Sequence, residues 1–348
     1  MRATLIHGPR DIRVETVPDP TIVNSTDAIV RVVATCVCGS DLWPYRGFTE
    51  TTVPRRIGHE LVGVVEEIGS DVATIKVGDF VIAPFAISDG SCVHCRHGVH
   101  TSCEQGAFWG TSHDGLPVDG GQGQWVRSPL ADGTLVALPE MPDESMIASL
   151  LTLSDVMGTG HHAALGAGVG PGSTVVVVGD GAVGLSAVIA AKRLGAEQII
   201  LMSRHADRQE LGRRFGATDV VAERGREGVK IVNEMLGGVG ADSVLECVGT
   251  KEAMDQAIDT TRPGGRVGYV GAPYGDSELP IRRIFMRNVA IVGGVAPVRQ
   301  YIEELLPDVL DKTIDPGQVF DLELPLEEIP EAYAAMDERR SIKAMLRP

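Results

Sequence analysis

Between about residues 156 and 293 the chain alternates short apolar runs with segments of helical spacing. The runs fall at 175–178, 199–202, 219–221, 243–247 and 266–270. Between them apolar residues recur every three or four positions, predicting helices up to residue 194 and over 208–215, 228–236 and 251–260. Strand-length runs alternating with helix-length segments mean a parallel sheet with crossover helices. Pro263-Gly264-Gly265 reads as the turn into the last of these strands. The chain before 156 reads differently. Strands are expected at 2–7, 12–17, 27–35, 61–69, 79–84, 125–127 and 135–138, set off by Pro, Gly and Asn-Ser-Thr turns. A helical pattern starts at 146–153. Residues 86–124 are glycine-rich and polar with little periodicity, which is unusual inside a compact domain unless something pins the loop. After 294 the pattern loosens, with helices near 299–310 and 327–337. The fold class is therefore α/β, a β-rich part beside a doubly wound parallel sheet. The domains expected are 1–155 with 294–348, and 156–293.

Composition narrows the functions. A chain of 348 residues with a net charge of −16 and no basic run does not present a nucleic-acid surface. No apolar stretch reaches the roughly 18 residues of a membrane span, and residues 1–8 lack an apolar signal core. Cytoplasmic residence is the expectation. Three of the six cysteines, Cys92, Cys95 and Cys103, crowd into twelve residues. In a reducing compartment that pattern reads as metal rather than disulfide.

The first strand of the alternating half runs into Gly179-Asp180-Gly181-Ala182-Val183-Gly184, and a helical pattern follows at once. A Gly-x-Gly-x-x-Gly in that context predicts dinucleotide binding. Gly179 permits the tight turn, Gly181 lets backbone approach a pyrophosphate, and Gly184 lets the helix pack close to the strand. Ala182 and Val183 fall where the helix N-terminus offers free N–H groups to phosphate. The second strand ends in Ser203-Arg204-His205, with Arg208 one turn on. An NAD site would place a carboxylate there for the ribose 2′-hydroxyl. None precedes Asp207. Ser203 and the guanidinium of Arg204 instead suit a 2′-phosphate, so NADP(H) is expected over NAD(H). Glu223, ending the third strand, tempers that expectation.

Cys38, in Cys38-Gly39-Ser40-Asp41, lies about twenty residues before Gly58-His59-Glu60. Thiolate and imidazole suit zinc, and Asp155 is a candidate third ligand at the domain junction. Spacing alone leaves inert core residues as the alternative. The order of these motifs, with the cysteine loop at 89–103, Thr159-Gly160 and the closing Ser341-Ile342-Lys343, resembles the zinc-dependent medium-chain alcohol dehydrogenases over essentially the whole chain. The carboxylate variant is similar to the NADP-dependent bacterial secondary-alcohol dehydrogenases.

That resemblance implies a GroES-like catalytic domain and a Rossmann coenzyme domain. It implies Cys38, His59 and Asp155 as catalytic zinc ligands, Glu60 as a residue able to approach the metal, and Asp41 as the partner that orients His59. It also implies a second, structural zinc. Cys92, Cys95 and Cys103 match the last three positions of that site and Asp89 stands where the first cysteine would be, with His100 as the rival fourth ligand. Thr159 matches a residue touching the nicotinamide, and Lys343 a basic residue contacting the pyrophosphate. Ser40 matches the hydroxyl that begins a proton relay. Here the chain departs, because many members carry histidine where it has Trp43, and indole cannot shuttle a proton. Trp43 could wall the substrate pocket, with the 106–117 loop and the 271–275 and 295–298 segments.

The implied activity is hydride transfer between NADP(H) and a small alcohol, aldehyde or ketone, by a dimer or tetramer paired near 288–292, with neither nucleic acid nor membrane as partner. The alternatives are an NAD-dependent polyol or aldehyde-type zinc dehydrogenase of the same family, a zinc-free quinone or enoyl reductase of the same fold, and a non-catalytic NADPH-binding redox sensor.

Overall fold

The computed structural model describes residues 1–49, 54–113, 115–273 and 278–348. The pocket-wall assignments at 114, 274 and 275 lie outside them. The chain divides into two compact units, Met1–Asp155 with Pro297–Pro348, and Val156–Ala296.

In the first unit, strand Ala28–Cys36 is the hub. It pairs antiparallel with Leu61–Ile68, Trp125–Ser128 and Lys343–Arg347. Leu61–Ile68 continues to Phe80–Ala83 and Val136–Ala137, while Lys343–Arg347 pairs in parallel with Phe320–Pro325. Val30, Val32, Leu61, Val65, Val81 and Ala83 fill a shared core while Arg31 on the same strand is exposed, as the two-residue period of a strand requires. The register does more than pack a core. Thr35 opposes Leu61 and Cys36 opposes Met345. Carried past the strand end, the same pairing brings Cys38 beside Gly58-His59 on one side and Lys343 on the other.

The second unit holds six parallel strands in the spatial order Asp219–Val221, Gln198–Met202, Thr174–Val178, Ala241–Glu246, Thr261–Tyr269, Ala290–Gly293. Numbered along the chain this is 3-2-1-4-5-6, the doubly wound dinucleotide order. Val176 and Val178 on the first strand are buried against Ile200, Val244 and Val267, so a near-continuous apolar run is what this position demands.

Several expectations shift. The expected turn at Pro263-Gly264-Gly265 is absorbed into strand Thr261–Tyr269 as an irregularity in its pairing with Ala241–Glu246. Helix Val156–Gly166 begins directly after Asp155 and holds His161 and His162 in its interior. Helices Leu42–Arg46 and Ile281–Arg287, and strands Phe320–Pro325 and Lys343–Arg347, were not legible from periodicity. Each is short, and its faces are set by neighbours rather than by its own repeat.

Candidate metal centres and coenzyme site

Side-chain donors of Cys38, His59, Glu60 and Asp155 lie within 4.8 Å of one another. Cys38 sits just past the hub strand, and His59 and Glu60 just before Leu61. Asp155 follows helix Ile147–Thr152, placed by the hydrogen bond from Phe85 N–H to the Ser154 carbonyl at 3.0 Å. Cys38 Sγ is 3.6 Å and His59 Nε2 3.4 Å from Asp155 Oδ2. Donors bound to zinc at about 2.0–2.3 Å in a tetrahedron stand about 3.3–3.8 Å apart. The separations and the S, N, O donor set therefore fit that ion.

Electrostatics point the same way. Burial and then the Asp155 charge push the Cys38 thiol up. Burial opposes a charged His59 ring, yet Asp41 and Cys38 outweigh it and raise the imidazole well above its ordinary range. Glu60 is raised by burial despite Lys343, and its Oε2 finds no hydrogen-bond partner among the described residues. Crowded anionic groups in a buried site call for a cation, and a metal ion competes with protons for the same ligands.

The surrounding shell extends further than the sequence suggested. His59 Nδ1 is 3.3 Å from Asp41 Oδ1, and Asp41 Oδ2 accepts from the Cys38 backbone N–H at 3.0 Å and from Gln122 Nε2 at 3.4 Å. Gln122 Nε2 also donates to the Cys36 carbonyl at 3.0 Å, and its Oε1 accepts from the fully buried Tyr333 hydroxyl at 3.1 Å. Gln122 and Tyr333 were missed. The available signal was the glycine context, since Gly58 holds φ +94° and a Cβ there would stand 2.4 Å from Gln122 Cγ.

Lys343, expected at a pyrophosphate, is 1 % exposed, with Nζ 2.6 Å from Glu60 Oε1 and 3.2 Å from the Val37 carbonyl. Its ammonium belongs to this shell, and a pyrophosphate would have to compete with Glu60 for it. Ser40 is half-buried two residues past Cys38, and Trp43 lies half-buried in helix Leu42–Arg46. Cys36 is fully buried core.

The second donor group is Asp89, Cys92, Cys95 and Cys103, also within 4.8 Å. His100 is not in it. Asp89 Oδ1 accepts from Ser91 and Cys92 N–H at 2.6 and 2.8 Å. Burial raises this carboxyl, but those two N–H groups and the neighbouring thiols hold it down at about 2. Cys92 caps helix Val93–Arg96 and its Sγ lies 3.9 Å from Cys103 Sγ. Three thiols and a carboxylate again fit zinc.

In the second unit, Gly179 adopts φ +116°, and a Cβ on Gly184 would stand 2.0 Å from the Gly179 carbonyl oxygen. Gly181 precedes helix Ala182–Arg193, so Ala182 and Val183 open its first turn. Thr159 is buried in helix Val156–Gly166. Arg204 is exposed and Arg208 buried; Glu223 is exposed. Ser203 is buried, and its hydroxyl donates to Asp180 Oδ2 at 2.9 Å rather than standing ready for a ligand.

A doubly wound coenzyme sheet and a β-rich unit carrying a Cys/His/Asp donor set together define a metal-dependent, nucleotide-linked dehydrogenase. The family models for an alcohol dehydrogenase GroES-like domain and for a zinc-binding dehydrogenase match residues 24–140 and 182–311. Zinc-type alcohol dehydrogenase B of Aspergillus flavus is 36% identical over 341 residues, covering 96% of this chain and 78% of that protein. The structure of an alcohol dehydrogenase from Thermus sp. ATN1 superposes with a TM-score of 0.91 at 31% identity, over 100% of this chain and 99% of the other. A zinc-binding dehydrogenase from Sinorhizobium meliloti bound to NADP has a TM-score of 0.84 at 26% identity, over 100% and 99%. The chain belongs to the zinc-dependent medium-chain dehydrogenase/reductases and is an enzyme of their alcohol dehydrogenase type, using a nucleotide coenzyme.

Proposed function

We propose that this enzyme moves hydride between NADP(H) and a small alcohol, aldehyde or ketone. The observation that carries the reading is the convergence of Cys38, His59 and Asp155, with Glu60 beside them, from segments up to 117 positions apart. Zinc bound there supplies a Lewis acid for the substrate oxygen. The chain's residues do the rest. Cys38, His59 and Asp155 hold the ion, and Asp41 holds His59 in the tautomer that presents Nε2. Lys343 keeps Glu60 in reserve, and the Ser40 hydroxyl begins the proton path. The Gly179–Gly184 turn would hold the coenzyme, with Gly181, Ala182 and Val183 at the helix N-terminus offering N–H groups to its pyrophosphate and Thr159 assigned to the nicotinamide. Arg204 and Arg208 favour a 2′-phosphate, and the NADP-bound Sinorhizobium meliloti relative supports that choice.

A second zinc on Asp89, Cys92, Cys95 and Cys103 is structural in this reading. The two units act as catalytic and coenzyme domains. Exposed Phe285 (76 %), Met286 (68 %) and Ile281 (66 %) lie on the helix just before edge strand Ala290–Gly293, which supports a homo-oligomer paired through that edge. No helix among the described residues is long and apolar enough to cross a membrane, and clustered thiols suit the reducing cytoplasm. The test combines elemental analysis with steady-state rates on primary, secondary, cyclic and aromatic alcohols with each coenzyme. Two zincs per chain and turnover with NADP(H) are expected. A metal-free or inert protein sinks the reading.

A further inference from the structure

We propose that Asp180 reads the 2′ position of the coenzyme ribose and holds down the preference for NADP(H); the inference rests on the coenzyme site described above. In doubly wound folds the 2′ position is read at the end of the second strand, beside the glycine turn. Here that strand, Gln198–Met202, supplies no carboxylate. The turn does. Asp180 stands between Gly179 and Gly181 and is 7 % exposed. Its Oδ2 accepts from Ser203 Oγ at 2.9 Å, and its Oδ1 lies 3.6 Å from Arg208 Nη1. A carboxylate therefore occupies the strand end although the strand does not encode it.

The consequence is a contest of charges. Ser203 gives its only hydroxyl hydrogen to Asp180, so it cannot also donate to a 2′-phosphate in this arrangement. The Asp180 carboxylate accepts from a ribose 2′-hydroxyl and repels a phosphate at short range. Arg208 is partly neutralised by the same carboxylate. Arg204, exposed, therefore carries the larger share of the attraction for phosphate.

Asp180→Asn tests this, since the amide keeps an oxygen for Ser203 and removes the charge. Kd for NADPH and NADH is read by coenzyme fluorescence, and kcat/KM for each by turnover. The NADPH-to-NADH ratio of kcat/KM should rise at least about tenfold, the size of one charged hydrogen bond, with the Kd ratio falling correspondingly, chiefly through tighter NADPH. Asp180→Ser, smaller and also neutral, should move it in the same direction. A ratio unchanged in folded variants, or both coenzymes weakened equally, overturns the inference and leaves Asp180 as a brace of the turn. Unmutated protein provides a check that needs no variant. If adenosine 2′,5′-bisphosphate binds it more than about 100-fold tighter than 5′-AMP, no repulsion operates and the inference falls. The wild-type ratio separately tests the NADP(H) assignment. An NADH-preferring enzyme whose Asp180→Asn variant shifts toward NADPH refutes that assignment and upholds this inference, and an NADPH-preferring enzyme with an unmoved ratio does the reverse.

Discussion

Cys38, His59, Glu60 and Asp155 meet from segments 117 positions apart, whereas Asp89, Cys92, Cys95 and Cys103 span fourteen. The first group is set into a sheet. Its positions follow from strand register, and Asp41, Gln122, Tyr333 and Lys343 tie its members to the core. The second group rides on a loop whose regular structure is a four-residue helix, Val93–Arg96, and a single 3-10 turn, His100–Ser102, and its internal contacts are turns within the loop. A site supported by a core can lose its ion and keep its shape. A loop without a core of its own would depend on the proposed ion for its shape.

The contrast breaks first at the chemistry. Cys38→Ser or Asp155→Ala should lower turnover by at least about 10³-fold, the several kcal/mol a Lewis acid contributes. Bound zinc should fall by one equivalent, with the melting temperature little changed. A large loss of stability would show that the first site is also a structural clasp. Ser40→Ala sharpens the point without touching a ligand. It should lower kcat by about 10²-fold at full zinc content if its hydroxyl begins the proton path. Unchanged kcat across pH, with hydride transfer shown to limit the rate, removes Ser40 from that role.

The opposite signature is expected in the loop. Cys95→Ser should lower Tm by roughly 5–10 °C, a few kcal/mol of lost metal-linked folding energy, and leave kcat of the folded fraction near wild type. Calorimetry with activity assays decides it. Removing the far end of the shell that supports His59 should have a smaller effect. Tyr333→Phe leaves Gln122 Oε1 without its donor, and zinc competition against a chelator should show about three- to tenfold weaker binding at the first site only, below the range for direct outer-shell partners.

The smallest effect concerns acid. Asp89 is held at about 2, below its unfolded value near 3.9. A depressed carboxyl stabilises the fold above the unfolded value, and that contribution disappears as pH falls toward 2. The group is half-buried and screened by solvent, so in chelator-stripped protein it is worth about 1 kcal/mol or less. Acid unfolding of stripped Asp89→Asn should therefore converge with wild type between pH 4 and 2. Curves that stay parallel there would show that the two N–H contacts do not hold the carboxylate.

Much of this was legible from local pattern. The strand–helix alternation predicted the parallel sheet because a buried strand and an amphipathic helix write their periods directly into sequence. The glycine motif was legible because close backbone approach excludes side chains, as the 2.0 Å separation at Gly184 shows. The cysteine loop could be read by spacing, since its donors need only turn geometry to meet. For the first cluster, residue types suggested Cys38, His59 and Asp155 as candidates, but it took the resemblance to join them as one ligand set.

By itself, then, the sequence determined what depends on neighbours along the chain: the element types, the glycine turn and the clustering of the three cysteines of the loop, while the choice of Asp89 over His100 beside them waited for the structure. Tertiary structure alone decided what depends on pairing register and crossover order. Opposing Cys36 to Met345 brought Lys343 to Glu60 rather than leaving it an exposed cation. Packing Gln122 over Gly58 linked Tyr333 to Asp41. Setting the second strand beside the first put Asp180 against Ser203, supplying a carboxylate where the strand end has none. Side chains that meet across a sheet carry no mark of each other in local sequence, because the register that joins them is set by the burial of the whole sheet.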